Sequence, residues 1–238
     1  MTRNGAPLLC ELHAHTTWSD GALSVREVVD LYGDAGFDVL AITDHVVASA
    51  CGIHVRAETF DAYLDEVEAE AERALAVHGL LVLPGLELTF EHEDAAQAGH
   101  AVAIGLHRFV GVDAGLDAAL REARSAGAAL IAAHPYPAAL ADGAIRTTAR
   151  FAEEPQWAAG AVDRFELVNR HDVFGWVAER RFPAVATGDF HVPEHLATWK
   201  TLLSCPRTPW AVVDELCSDR PAALTRVDPV RGAPRRAA

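Results

Sequence analysis

The feature that most restricts this chain is a rhythm in which short apolar runs alternate with longer stretches whose apolar residues recur at helical spacing. The runs are Leu8–Leu12, Val39–Ile42, Leu80–Leu83, Ala101–Leu106, Ala128–Ala133, Phe165–Val168, Ala184–Ala186 and Thr201–Leu203, and they read as strands. Val25–Ala35, Ala57–His78, Leu116–Ala126, Val173–Arg181 and Trp210–Cys217 read as helices, the first behind Ser24 with Glu27 three residues on, a capping box. A βα unit repeated about seven or eight times predicts an α/β fold whose parallel sheet closes, or nearly closes, into a TIM-barrel-like ring. A doubly wound open sheet is the competing arrangement. No linker, repeat or low-complexity tract divides the 238 residues, so a single domain is expected, with a core to about residue 218 and a loose tail over 219–238. Residues 135–163 lack clear periodicity and read as a functional loop.

Charge narrows the function. Thirty-four acidic against 20 basic side chains leave a net −14, which argues against coating a large nucleic acid or an anionic membrane. The segment Met1–Pro7 has no apolar stretch for a signal sequence, and no run approaches the roughly 18 apolar residues of a membrane span, so a cytoplasmic address is expected. Cys10, Cys51, Cys205 and Cys217 show no CxxC spacing and are expected to be reduced. Lys200 is the only lysine, a fact to which the sequence attaches no function.

Residues able to hold metals gather where the runs end. Leu8–Leu12 leads into His13-Ala14-His15, and in an extended chain residues two apart share a face, so both imidazoles can reach one ion. Asp20 follows in the same loop. The second run leads to Thr43-Asp44-His45, the third to Pro84-Gly85-Leu86-Glu87, the fifth to His134-Pro135 and the seventh to Gly188-Asp189-Phe190-His191. Parallel α/β folds build their sites at C-terminal strand ends, which makes one shared site the economical reading. Singly, each residue is more often a turn or cap. Together, crowded carboxylates and imidazoles are costly to desolvate unless divalent cations neutralise the carboxylates and use the imidazole lone pairs.

Those segments, with Ser19-Asp20-Gly21 and Gly99-His100, make the chain resemble the polymerase and histidinol phosphatase (PHP) family of metal-dependent hydrolases over about residues 8–205. The resemblance implies a distorted (β/α)7-type barrel of the small stand-alone kind. It also implies that His13, His15, Glu87 and Asp189 hold a first metal ion. Glu87 would bridge to a second ion held by His100 and His134, and Asp20, His45 and His191 would hold a third. His100 is chosen over His92 because it directly precedes the apolar run from Ala101. His54, His78, His107, His171 and His195 fit no motif and are expected at the surface or at helix caps, although His54 and His195 could line the pocket.

Two or three divalent ions, whether Zn, Mn or Fe, lower the pKa of a bridging water and clamp phosphoryl oxygens, which points to hydrolysis. No GxSxG elbow, phosphate-binding glycine loop or CxxC supports covalent acyl, nucleotide-loop or thiol chemistry. Three ions favour a small organic phosphate, mono- or diester, as substrate. Asp189 and Glu87 are placed at the reaction centre. Arg170 is the first choice to stabilise developing charge, ahead of Arg146 and Arg150, with Glu166, Asn169 and Asp44 in support. The loops 46–60 and 135–163, with Tyr136, Trp157, Arg146 and Arg150, are expected to wall the pocket. The competing functions are a two-metal hydrolase of a carbamate or carboxylic ester and a non-catalytic metal-binding module.

Overall fold

The computed structural model describes residues 6–48, 52–138 and 148–228. In chain order the strands are β1 (Leu8–Glu11), β2 (Val39–Ile42), β3 (His45–Val47), β4 (Leu81–Phe90), β5 (Gly99–Ile104), β6 (Ala129–Ala133), β7 (Arg164–Asn169), β8 (Asp172–Val173), β9 (Ala184–Thr187), β10 (Trp199–Leu203) and β11 (Ala223–Arg226). The helices are α1 (Val25–Asp34), α2 (Phe60–Val77), α3 (Leu116–Ser125), α4 (Arg150–Glu153), α5 (Pro155–Ala161), α6 (Gly175–Glu179) and α7 (Pro209–Cys217). The capping box opens α1: the Ser24 side chain accepts from Glu27 N–H, and the Glu27 carboxylate accepts from Ser24 N–H at 2.9 Å.

The sheet runs β11-β10-β1-β2-β4-β5-β6-β7-β8, with β3 alongside β4 and β9 alongside β7. It curls until the chain after β9 meets the chain after β1. There Ala14 bridges Phe190, with His15 N–H donating to Phe190 O at 2.8 Å and Phe190 N–H to His13 O at 3.0 Å. Beneath that bridge β10 pairs antiparallel with β1, while the Thr201 hydroxyl links β10 to the backbone of Ala186 in β9. The result is the distorted α/β barrel expected. Among the described residues no helix is long and apolar enough to cross a membrane.

Several expectations differ from what is seen. The ring is mixed rather than parallel: β5 is antiparallel to both β4 and β6. Only residues 91–98 separate β4 from β5, too few for a crossover helix. The third strand continues past Pro84-Gly85 to Phe90, so Glu87 lies within it. Pro84 sits where β4 leaves β2 and takes up β3 and β5, so its missing N–H ends one ladder rather than the strand. The stretch 135–163 carries α4 and α5, the helix expected from Val173 begins at Gly175, and Ala223–Arg226 of the expected tail pairs with β10.

Alternation sorts the buried apolar residues into two sets. Cys10, Val39, Ala41, Leu83, Val102, Ile131 and Val185 form one core with Val212 and Leu216 of α7. Leu40, Ile42, Val82, Ala103 and Leu130 pack with Val28, Tyr32, Tyr63 and Leu120 of the helices in the other. Glu87 continues the parity of Leu83, and His100 that of Val102, so both polar side chains crown the first core.

Arg164, at the start of β7, is fully buried, and its guanidinium donates to the carbonyls of Glu215, Leu216, Ser218 and Arg220. It thereby closes the C-terminal end of α7, where a cation is favoured. Replacing it with methionine strands those carbonyls. The expected cost is about 2–3 kcal/mol, read as a fall of roughly 5–10 °C in the melting temperature.

Candidate metal centre

The mouth of the barrel collects side chains from β1, β3, β4, β5, β6 and β9. His13 Nε2 and His15 Nε2 each lie 3.3 Å from Glu87 Oε2, and 3.6 and 3.5 Å from Asp189 Oδ1. On the far side of the same carboxylate, Glu87 Oε1 lies 3.3 Å from His100 Nδ1 and 3.1 Å from His134 Nε2. Asp20 Oδ1, in the loop after β1, is 3.5 Å from His45 Nε2 and 3.2 Å from His191 Nε2. Three groups of close donors therefore share one mouth, with His15 touching both the first and the third. All nine residues singled out in the sequence come together.

Buried polar atoms normally find partners. Here His13 Nε2, His15 Nε2, Glu87 Oε2 and both ring nitrogens of His100 are buried without a hydrogen bond. Their spacing suits a cation: ligands about 2.0–2.1 Å from a tetrahedral ion stand roughly 3.3–3.4 Å apart. The edges of the first group fall close to that value.

A family profile for the PHP domain matches residues 11–153. The chain belongs to the PHP domain family. A two-domain protein from Bacteroides vulgatus containing a predicted PHP-like metal-dependent phosphoesterase shares the fold with a TM-score of 0.68 and 21% identity, over 95% of this chain and 69% of that one. An amidohydrolase from Chromobacterium violaceum, with bound sulfate and no metal, gives 0.56 and 16% identity over 91% of this chain and 97% of its own. The DNA polymerase/3'-5' exonuclease PolX of Bacillus subtilis is 31% identical over 98 residues, 39% of this chain. The match spans 17% of that relative's length.

Within this PHP domain the surrounding hydrogen bonds fix which imidazole nitrogen faces inward. Glu166 Oε1 lies 2.8 Å from His13 Nδ1, which must carry a proton, so Nε2 is the nitrogen turned inward and the one a metal ion would engage. Asp44 takes the Ser19 hydroxyl proton at 2.6 Å, so Ser19 Oγ accepts from His15 Nδ1 at 3.3 Å and frees His15 Nε2 likewise. Thr89 Oγ1 meets His45 Nδ1 at 2.7 Å. His191 Nδ1 lies 2.9 Å from Asp189 O and 3.0 Å from Arg170 Nη2, whose two N–H groups also reach Asp189 Oδ2 at 2.9 Å, so Nε2 is the ring nitrogen turned toward Asp20.

Glu166 is the hub of this outer layer. Fully buried, it also accepts from Thr187 Oγ1 at 2.6 Å, Asn169 Nδ2 at 2.7 Å and the His134 backbone N–H. Changing it to alanine frees the His13 ring and is expected to weaken divalent-ion binding about 10–100-fold, measured by titration calorimetry. Backbone conformation adds to the constraint: His134, Arg170 and Asp189, each at the end of a strand, hold φ of 28°, 52° and 42°. Such left-handed geometry in non-glycine residues persists where neighbours over-determine it.

Electrostatically the cluster asks for positive charge. Burial disfavours a protonated His13, yet Asp189, Glu87 and Glu166 outweigh it and hold its pKa well above the ordinary range. Burial likewise opposes charge on His45, but Glu87 and Asp20 raise its pKa to about 9. His134 is raised against burial by Glu87 and Asp189. Burial would push Glu87 and Asp189 up; the facing histidines carry both well below the usual carboxylate range. His100, by contrast, is lowered, chiefly by burial.

The other named residues divide. His92 is exposed, and its Nδ1 accepts from the Asp94 backbone, away from Glu87. Arg150 is not at the mouth: Asp117 holds it at 2.7 Å and its guanidinium stacks on Trp157, itself bonded to Asp117. Trp157 is thus part of the α3–α5 packing rather than a pocket wall. Arg146 and Cys51 lie outside the described residues, and Cys10, Cys205 and Cys217 are free thiols. His78, part-buried at the C-cap of α2, bonds Asp30, and exposed His107 bonds Glu68. His195 is drawn into the rim, where its Nδ1 accepts from His191 N–H at 3.1 Å. Sequence reasoning missed Ser19 as the link between Asp44 and His15, and Thr187 as a partner of Glu166.

Proposed function

We propose that this PHP domain is a metal-dependent phosphoesterase that hydrolyses a small organic phosphate. The observation that carries the reading is the set of buried, unpartnered polar atoms on His13, His15, His100 and Glu87, gathered on the two sides of the Glu87 carboxylate. His13, His15, Glu87 and Asp189 would hold one ion, Glu87, His100 and His134 a second, and Asp20, His45 and His191 a third. Bound there, divalent ions would supply an activated water at neutral pH and a charge clamp for phosphoryl oxygens.

The chain's own groups supply orientation. Arg170 Nε donates to Asp189 O at 3.0 Å and Nη2 to Asp189 Oδ2, which holds the carboxylate while leaving Nη1 without a partner among the described residues. The Arg170 side chain is 35% exposed. It is therefore placed to meet an anionic oxygen entering the mouth, a task suited to a planar guanidinium. Arg170→Met is expected to lower kcat for phosphate release about 10²–10³-fold, measured at saturating metal so that any weakening of the Asp189 ligand is compensated.

Metal analysis of the purified chain, followed by phosphate release from a panel of mono- and diesters, tests the proposal. Turnover of phosphate esters that chelation abolishes supports it. The likeness to the amidohydrolase makes a two-metal hydrolase of carboxylic esters or carbamates the second reading. Two ions per chain, turnover of an aryl ester and no phosphate release would favour that reading. Full metal occupancy with no turnover of either class would indicate a non-catalytic module.

A further inference from the structure

The one lysine of the chain is fully buried, and so is the carboxylate it meets: Lys200 Nζ lies 2.7 Å from Glu11 Oε2. We propose that Glu11 and Lys200 form a positioning pair that sets the geometry of the first ligand group by clamping the end of β1 to the end of β9. The inference rests on the metal-binding reading above. Glu11 Oε1 accepts from the backbone N–H groups of Leu12 at 3.1 Å, His13 at 3.2 Å and Gly188 at 2.9 Å. Its Oε2 accepts from the Tyr32 hydroxyl at 2.9 Å. One carboxylate thus grips the residue that bears His13 and the residue before Asp189, whose side chains face each other at 3.6 Å.

Lys200 completes the clamp from the other side. Its ammonium also donates to Thr198 Oγ1 at 2.7 Å and to His195 O at 3.1 Å, in the turn whose His195 ring receives the His191 N–H. Gly188 fits this arrangement because a Cβ there would land on Lys200 Nζ and Glu11 Oε2. A buried ion pair is weak evidence for stability, since well-packed apolar residues often serve as well. An apolar pair could not, however, receive the N–H groups of His13 and Gly188. That requirement distinguishes positioning from bulk packing.

The test compares zinc and manganese affinity, by calorimetry, with thermal stability in the full chain. Glu11→Leu/Lys200→Met leaves no lone charge but removes the acceptor, and is expected to bind either ion at least tenfold more weakly. Glu11→Gln/Lys200→Met keeps an oxygen for the backbone groups but loses the ammonium, and should bind more tightly than Glu11→Leu/Lys200→Met while staying weaker than wild type. Arg164→Met is the control for stability alone, with a lower melting temperature and unchanged affinity. A folded Glu11→Leu/Lys200→Met protein with wild-type affinity overturns the positioning role. If that variant does not fold, Gly188→Ala decides, with wild-type affinity again the overturning result. Failure of the wild-type chain to bind either ion would instead refute the metal-binding reading itself.

Discussion

Replacing Glu87 with glutamine is expected to cost the protein both metal and activity. The two carboxylate oxygens face different groups: Oε2 meets His13, His15 and, at 2.9 Å, His45, while Oε1 meets His100 and His134. The substitution keeps the shape but removes the charge and turns one oxygen into an amide N–H₂ donor, which cannot ligate a cation. Loss of an outer-shell partner costs about 10–100-fold in affinity or activity, so loss of this shared ligand should exceed about 100-fold in phosphate release. Elemental analysis should show less than the wild-type complement of ions. A Glu87→Gln protein with full metal content and full turnover would refute the shared-ligand assignment.

The second large effect is an inversion of pH dependence on metal loading. In the metal-free protein His45 titrates at about 9, above its unfolded value near 6.5. A raised pKa stabilises the fold fully below the unfolded value and loses that contribution as pH rises toward 9. Glu87 and Asp189 are shifted the other way, so their contribution is present above about pH 4–4.5 and is lost in acid. Chelated protein should therefore be most stable at roughly pH 4.5–6.5 and soften toward pH 9, by on the order of 3 kcal/mol from His45 alone. Metal binding requires neutral imidazoles, so ions must displace those protons and affinity should climb through the same window. Melting curves of chelated and loaded protein from pH 6 to 9 should diverge. Calorimetry in buffers of different ionisation enthalpy should register proton release on binding. Parallel melting curves with no proton release would contradict this account.

Much of the site was legible because strand geometry is local. His13 and His15 share a face by the two-residue period, and the motifs after β2, β6 and β9 fall where parallel strands present their ends. The β4–β5 hairpin was harder to read. Pro84-Gly85 resembles a strand end, yet the chain continues straight to Phe90, and the antiparallel return brings the start of β5 to the mouth. His100 therefore precedes its apolar run where the other ligands follow theirs. Arg150 was misread for a different reason. An arginine in an unpatterned stretch looks free, and only the packing of α3 on α5 shows Asp117 waiting for it. Glu11 and Lys200 were invisible because their partners lie 189 positions apart in sequence and meet only through the pairing of β1 with β10.

The burial of Lys200 also has a consequence for handling the molecule. Reagents and enzymes that seek a side-chain primary amine find none on the folded surface, whether they attach a fluorophore, a cross-link to a solid support or an acyl mark. Appearance of adducts at that one position would accordingly serve as a chemical clock for the opening of the barrel.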